Sequence, residues 1–267
     1  MGFSFTQKQI KERKNFPGGV SVIKRTLSDI RKRYILRLIC RCCIFVASVI
    51  LYLTGFEKHN ILPGWAFFHQ FSILHVLWVI WLIDMLSQLI PMRKTIALGS
   101  YKVFRQRFKP TLKQVSAEAL KNHILATTRS AYKVMVVWIA LIGFLGLLKY
   151  WGILLDEHLF LVTVAFYVCD LICVLIWCPF RLMMGNKCCT TCRIFNWDHF
   201  MMFTPMVYVK GFYSWSLLGL SIVILAVWEL CVAFHPERFW EKSNAALKCS
   251  ECTDKLCIQY CQKLRKK

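Results

Sequence analysis

Long runs of apolar residues, separated by short basic or turn-forming segments, dominate the pattern along this chain. A bilayer core of about 30 Å needs about 20 residues at the 1.5 Å rise of an α-helix. Four runs approach or meet that length, and each is closed by charged residues, Pro or Gly. The pattern therefore predicts four full spans, at 35–56, 65–90, 134–148 and 159–178.

The last apolar region permits two arrangements. Residues 211–234 are long enough to cross alone. Residues 199–209 would extend only about 16 Å as a helix, roughly half a bilayer, and Pro205 interrupts them. They form either the short leg of a hairpin that turns near Lys210, or an interfacial segment before a single fifth span.

The distribution of charge favours the hairpin. The chain carries 35 Lys and Arg against 14 Asp and Glu, a net charge of +21. With a hairpin, all but three of the basic residues lie on one side, as the positive-inside rule requires. The exceptions are Lys58, Lys149 and Lys210. Both termini are then expected in the cytosol, at a plasma or inner membrane whose anionic inner-leaflet lipids meet the basic face.

Composition agrees with an all-α polytopic transmembrane helix bundle. The chain is 57% hydrophobic with a mean hydropathy of +0.47, too apolar for a soluble domain of this size. No nucleic-acid recognition module is present, so no nucleic-acid partner is expected. Residues 1–33 predict either an interfacial amphipathic helix or a solvated basic arm. The predicted domains are this segment, the bundle at 34–234 with its cytosolic loops 91–133 and 179–198, and a Cys-rich tail at 235–267.

Two C-x-x-C pairs, far apart in sequence, predict a metal site on the cytosolic side. Each pair turns tightly enough to direct two thiolates at one ion, and a tetrahedral site needs two pairs. Zinc is the favoured occupant, an Fe–S cluster is the alternative, and thiols without metal are the third interpretation. Such a module would staple the tail to loop 179–198. The four main ligands would be Cys189, Cys192, Cys249 and Cys252, with Cys188, Cys257 and Cys261 as additional or substitute ligands.

Three acidic residues fall inside the predicted spans, where charge is expensive enough to suggest function. They are Asp84, Asp170 and Glu229. On an uninterrupted second span, His69 would share a polar stripe with Asp84. Such stripes form either a path for a proton or cation, the wall of a small-molecule pocket, or ordinary interhelical hydrogen bonds. Arg37 and Arg41 are expected to snorkel to the interface from the start of the first span.

Catalytic signatures such as G-x-S-x-G, H-E-x-x-H and the Walker loop are absent, so no enzyme class is indicated. Three functions remain. The leading expectation is a zinc-stapled membrane scaffold or binding protein, with a possible protein partner. The alternatives are a membrane redox protein with an Fe–S cluster, and a proton- or cation-coupled transporter that uses the intramembrane acids.

Overall fold

The computed structural model describes residues 29–89, 108–111, 115–185 and 192–248, and within these ranges it is all-helical without a β-strand. The predicted N-terminal arm lies outside the described residues up to residue 28. The helices are α1 Asp29–Gly55, α2 Ala66–His69, α3 Leu74–Leu89, α4 Ala117–Tyr150, α5 Asp156–Leu175, α6 Pro179–Met183, α7 Asp198–Phe203 and α8 Phe212–Phe234. Short 3₁₀ turns lie at Phe56–His59, Ile194–Asn196, Thr204–Tyr208, Pro236–Phe239 and Ala245–Leu247.

Four of these helices, α1, α4, α5 and α8, are long and apolar enough to cross a membrane. Their outward faces carry large exposed apolar side chains, for example Ile39, Val136 and Ile222. Apolar surface of this extent is stable against lipid and not against water. The chain is therefore an integral, multipass membrane protein, as the sequence predicts.

Helix α4 joins two segments that the sequence analysis treats separately. The helical part of the basic loop and the third span form one helix of 34 residues, about 51 Å long. The Ser116 side chain caps it by accepting a hydrogen bond from the Ala119 amide at 3.3 Å. No Pro or Gly lies between this cap and the predicted span at 134–148, so nothing ends the helix at the membrane surface.

The predicted continuous second span at 65–90 is wrong in its first third. The helix α2 has only four residues, Gln70 is extended, and α3 begins at Leu74. The break is stabilised by polar groups, because the Ser72 amide donates to His75 Nδ1 and the Ser72 hydroxyl donates to the His59 carbonyl. These local bonds compete with a helical turn. As a result α3 has 16 residues, fewer than a full span.

Residues 198–210 form the short leg of the hairpin. The leg starts beside Gln88, near the C-terminal end of α3, where the Gln88 amide lies 2.9 Å from His199. It finishes beside the turn that precedes α2. There the Gly64 amide donates to the Lys210 carbonyl at 2.8 Å, and the Phe212 amide donates to the Gly64 carbonyl at 3.0 Å. The chain therefore traverses the bundle twice between 198 and 234.

Both described ends of the chain lie at one end of the bundle, here called the Asp29 end. The opposite end, which holds both turns, is the Gly64 end. At the Asp29 end the segment after α8 is docked, since the Thr111 amide donates to the Ser243 carbonyl and the Ala245 amide to the Lys109 carbonyl. The Trp240 ring also stacks on His123 of α4, with the ring centroids 4.5 Å apart.

An aromatic core fills the space between the hairpin leg and the surrounding helices. Trp81 is fully buried and meets Tyr167, Phe203 and Tyr213 edge to face, with ring centroids 5.2 to 6.4 Å apart. Such packing adds stabilisation beyond burial alone. This aromatic packing also fills the middle of the bundle towards the Gly64 end.

The close approach at Gly211 supplies a test of this fold. A Cβ added there would lie 1.8 Å from the Leu62 carbonyl oxygen, whereas a Cβ at Gly219 in α8 would meet nothing within 4 Å. We expect Gly211→Ala to lower the free energy of unfolding in detergent by about 1–3 kcal/mol, because the backbone pairing must shift. Gly219→Ala should leave it unchanged or raise it slightly. Equal thermal unfolding curves for both variants would contradict the hairpin turn.

Candidate functional site

The side chain of Arg41 lies inside the bundle and binds two acids from two other helices. Its Nη1 atom is 2.7 Å from Asp170 Oδ2 on α5, and its Nη2 atom is 2.8 Å from Asp84 Oδ2 on α3. Arg41 is only 6% exposed. These three residues, called the ion triad below, therefore join α1, α3 and α5 through one guanidinium.

Tyr167 completes the surroundings of the guanidinium. Arg41 Nη1 also donates to the Tyr167 carbonyl at 2.6 Å, and the Arg41 Cζ atom lies 3.8 Å from the centre of the Tyr167 ring. Charge-assisted hydrogen bonds and a cation–π contact are among the strongest interactions available to a desolvated guanidinium. Arg41 is thus held by three partners on two helices.

His199, in the hairpin leg, stands next to the ion triad. Its Nε2 atom lies 3.9 Å from Asp84 Oδ2 and makes no hydrogen bond within the described part of the chain. Its Nδ1 atom is 2.8 Å from Asp198 Oδ1. The same carboxylate oxygen accepts the His199 backbone amide at 2.6 Å, so Asp198 fixes the orientation of the ring. The hairpin leg thereby adds an acid and a titratable base to the triad.

A small cleft of about 40 Å³ connects these groups at the Asp29 end, with room for one or two water molecules. Arg37 also lines this cleft. Three carboxylates therefore share the site with two guanidinium groups and one imidazole. The charges balance when the imidazole carries a proton, and one negative charge remains when it does not. The members of this inner cluster are Arg37, Arg41, Asp84, Asp170, Asp198 and His199.

The third predicted acid, Glu229, lies in a separate ion pair. Its Oε2 atom accepts from Arg193 Nη2 at 2.5 Å, and its Oε1 atom accepts from the Trp197 indole at 2.7 Å. Burial lowers the pKa of the Arg193 guanidinium, and the nearby Glu229 carboxylate opposes that shift. This pair attaches the segment before the hairpin leg to α8.

The polar stripe predicted for the second span is not formed. His69 is exposed in α2 near the Gly64 end and does not approach Asp84, because the break at residues 70–73 separates it from α3. On α5, Thr163, Tyr167 and Asp170 do face the interior together. Trp177 lies beyond the end of this helix and is 48% exposed.

Of the seven predicted thiolate ligands, only Cys192 falls within the described residues. It is buried against Ala131 and Val134 of α4, with its sulfur 3.6 Å from Met184 Sδ. In the described ranges no group of three or more His, Cys, Asp or Glu side chains is arranged to hold a metal ion. The remaining predicted ligands lie outside those ranges: Cys188, Cys189, Cys249, Cys252, Cys257 and Cys261.

Arg41 and His199 are the residues of the site whose roles the sequence analysis missed. Arg41 was expected at the interface, but the carboxylates of α3 and α5 hold it inside, which corrects the snorkelling interpretation. The available signal was depth, because Arg41, Asp84 and Asp170 lie at similar distances, six to eight residues, from the same-side ends of their apolar runs. For His199 the sequence suggests at most a substitute metal ligand, because it follows the first cysteine pair closely. Nothing in the local sequence indicates that it meets Asp84, 115 positions earlier.

Removal of the buried Arg41 charge and removal of an exposed Arg charge should have different effects on stability. Arg41→Met should lower the free energy of unfolding in detergent by about 3–5 kcal/mol, because it leaves two buried carboxylates without their counter-ion. Arg129→Met removes an equivalent charge from the exposed face of α4 and should change it little. Thermal unfolding of the two variants gives the comparison, and equal stability would contradict a buried triad.

No protein family, no curated protein and no solved structure matches this chain.

Proposed function

We propose that the chain is a membrane transporter that carries a proton or a small cation through the inner cluster. The observation that carries this proposal is the charge of the cluster: its carboxylates are fully balanced only when His199 holds a proton. A net charge in a low-dielectric interior is strongly unfavourable, so such a site takes up a proton or a cation. The two Arg side chains neutralise only two of the three carboxylates, so the third needs a proton on His199 or a bound cation.

The packing around the cluster suits alternating access. On the Asp29 side the cleft reaches Tyr34 and Arg37 near the start of α1. On the Gly64 side Trp81 and Phe203 are fully buried, and their rings pack edge to face with centroids 5.2 Å apart. We propose that the described conformation exposes the cluster to one side only. Transport then requires the hairpin leg, which carries His199, to move against α3 and α5.

The orientation of the bundle is also part of the proposal. We assign the Asp29 end to the cytosol, because this assignment leaves Lys58, Lys149 and Lys210 as the only basic residues on the outer side. Anionic lipids of a plasma or inner membrane would then contact the exposed cations at the start of α1, including Lys32 and Arg33.

Flux through purified protein in phospholipid vesicles tests the proposal. A potassium diffusion potential, negative inside, should drive protons inward and acidify a trapped pH-sensitive dye. Asp170→Asn keeps the shape of the side chain but removes its charge, and we expect it to reduce the flux to that of protein-free vesicles.

Glu118→Gln is the matched control, because it makes the same chemical change at an exposed position in the first turn of α4. It should conduct as the wild type does. If Asp170→Asn conducts as well as the wild type, the inner cluster is not part of the transport path. If the wild type carries sodium and not protons, sodium is the transported cation. Loss of the sodium flux in Asp170→Asn would then test the site.

A specific observation favours a second function, the zinc-stapled scaffold. The described flanks of both cysteine pairs dock on α4: Cys192 packs against Ala131, and Trp240 stacks on His123. Eight residues of helix separate these contacts, about 12 Å. We propose that Cys189, Cys192, Cys249 and Cys252 meet there and bind one zinc ion, which staples the tail to the bundle for a protein partner.

Metal analysis of protein purified without air tests the staple. We expect about one zinc per chain, lost in Cys189→Ser and retained in Cys43→Ser, which alters an exposed thiol of α1. Removal of zinc with a chelator should lower the unfolding temperature. Iron with sulfide and an absorption band near ~400 nm would overturn zinc in favour of the Fe–S redox alternative. Unchanged metal content in Cys189→Ser would contradict the ligand set.

A further inference from the structure

A cavity of about 200 Å³ lies beside the inner cluster, between α4, α5, α6 and the hairpin leg. Its wall is largely apolar and aromatic, and its few polar groups include the carboxylates of Asp170 and Asp198. The cavity is large enough for a ring-sized molecule. Residues that shape it include Trp138, Phe166, Val174, Phe180, Phe195 and Met201.

Two thiols of the cavity wall are in contact with each other. At the end of α5 the Trp177 amide donates to the Ile172 carbonyl at 3.1 Å, five residues earlier, so the last turn is widened. Cys178 follows this turn, five residues after Cys173, and the two thiols interact with each other. Both are thiols, and both line the cavity. The sequence analysis had placed Cys178 within the fourth span, but α5 ends at Leu175, before it.

The surroundings of Cys178 make it the reactive member of the pair. The hydrogen bond from Cys173 lowers the pKa of the Cys178 thiol to about 7, although burial opposes the shift. The nearby Phe180 and Arg181 backbone amides and the Arg181 charge also lower the pKa of this thiol. Thiolate is the reactive form, and its fraction rises as the pH increases through the pKa.

The burial of the pair limits what can react with it. Cys178 is only 9% exposed, so the thiolate of another protein cannot approach it as disulfide exchange requires. A reaction partner must be small, soluble in the bilayer and shaped for a cavity with aromatic walls. A lipophilic quinone meets all three conditions. Its ring can pack against Phe166 or Phe180, and the Asp170 carboxylate can accept a hydrogen bond from a hydroquinone hydroxyl.

We propose that Cys173 and Cys178 form a redox-active dithiol that reduces a lipophilic quinone bound in this cavity. In the reaction the two S–H bonds break and one S–S bond forms. The pair loses two electrons and two protons, and the quinone gains both to become the hydroquinone. The two thiols are not members of the inner cluster, although the cavity shares Asp170 and Asp198 with it.

A single-turnover experiment on the purified, fully reduced protein in vesicles tests the proposal. The probe is a decyl-substituted dimethoxy-methyl-benzoquinone, whose ring carries no free position for addition of a thiol. Without air, we expect hydroquinone formation at one equivalent per chain, and a mass-spectrometric link between Cys173 and Cys178. Reaction rates should rise as the pH is increased through about 7.

Single-residue variants decide whether this pair is responsible. Cys173→Ser and Cys178→Ser should each form no hydroquinone, whereas Cys43→Ser, with an exposed thiol of α1 replaced, should react as the wild type does. Val174→Trp should slow the reaction by filling the cavity, with both thiols retained. No hydroquinone from the wild type, or full activity in either pair variant, would overturn the proposal. A disulfide that joins other cysteines would overturn it as well.

Discussion

The guanidinium of Arg41 is the constraint on which the rest of the bundle depends. In a membrane interior a charged side chain is tolerated only with counter-ions and hydrogen bonds in place. Asp84 and Asp170 supply the counter-ions from α3 and α5, and the Tyr167 carbonyl supplies another acceptor. Satisfying these contacts fixes the rotation of α1, α3 and α5 about their axes, because a turned helix would bury an unpaired charge. Apolar packing alone would fix these rotations less tightly, because one apolar face of a helix packs against lipid about as well as another.

The hairpin leg depends on the same constraint. Residues 198–210 are too short and too irregular to cross against lipid, since their 3₁₀ turn and extended residues would leave backbone groups without partners. They are sheltered between α4, α5 and α8, with Met206 and Val209 fully buried. Asp198 and His199 attach the leg at the ion triad, and the pairing of Lys210 with Gly64 attaches it at the other end. In the transport proposal this leg is the element that would move, because it carries titratable groups to the buried ion pair.

Much of the fold could be predicted from the sequence, and the limits follow from the kind of information it holds. Apolar run length predicts α1, α5 and α8, because span length depends on local composition and bilayer thickness. Charge bias favours the hairpin, since Lys210 is the only basic residue between 194 and 237. The break before α3 is missed because Ser72 and His75 act through specific hydrogen bonds that hydropathy does not record. Asp84 and Asp170 are recognisable as unusual, but their shared partner is not, because the contact with Arg41 depends on how three helices rotate. The cysteine module remains a prediction.

The most direct test of the central claim separates the stability of the ion triad from its function. In the triple variant Arg41→Met, Asp84→Leu, Asp170→Leu all three charges of the ion triad are replaced together by apolar side chains, so none of them remains unpaired. Replacing a buried ion group in this way is often neutral or stabilising. We predict a folded protein with wild-type thermal stability in detergent and no voltage-driven proton or cation flux in vesicles. Wild-type flux from this variant would contradict the account, because the inner cluster would then have no part in transport.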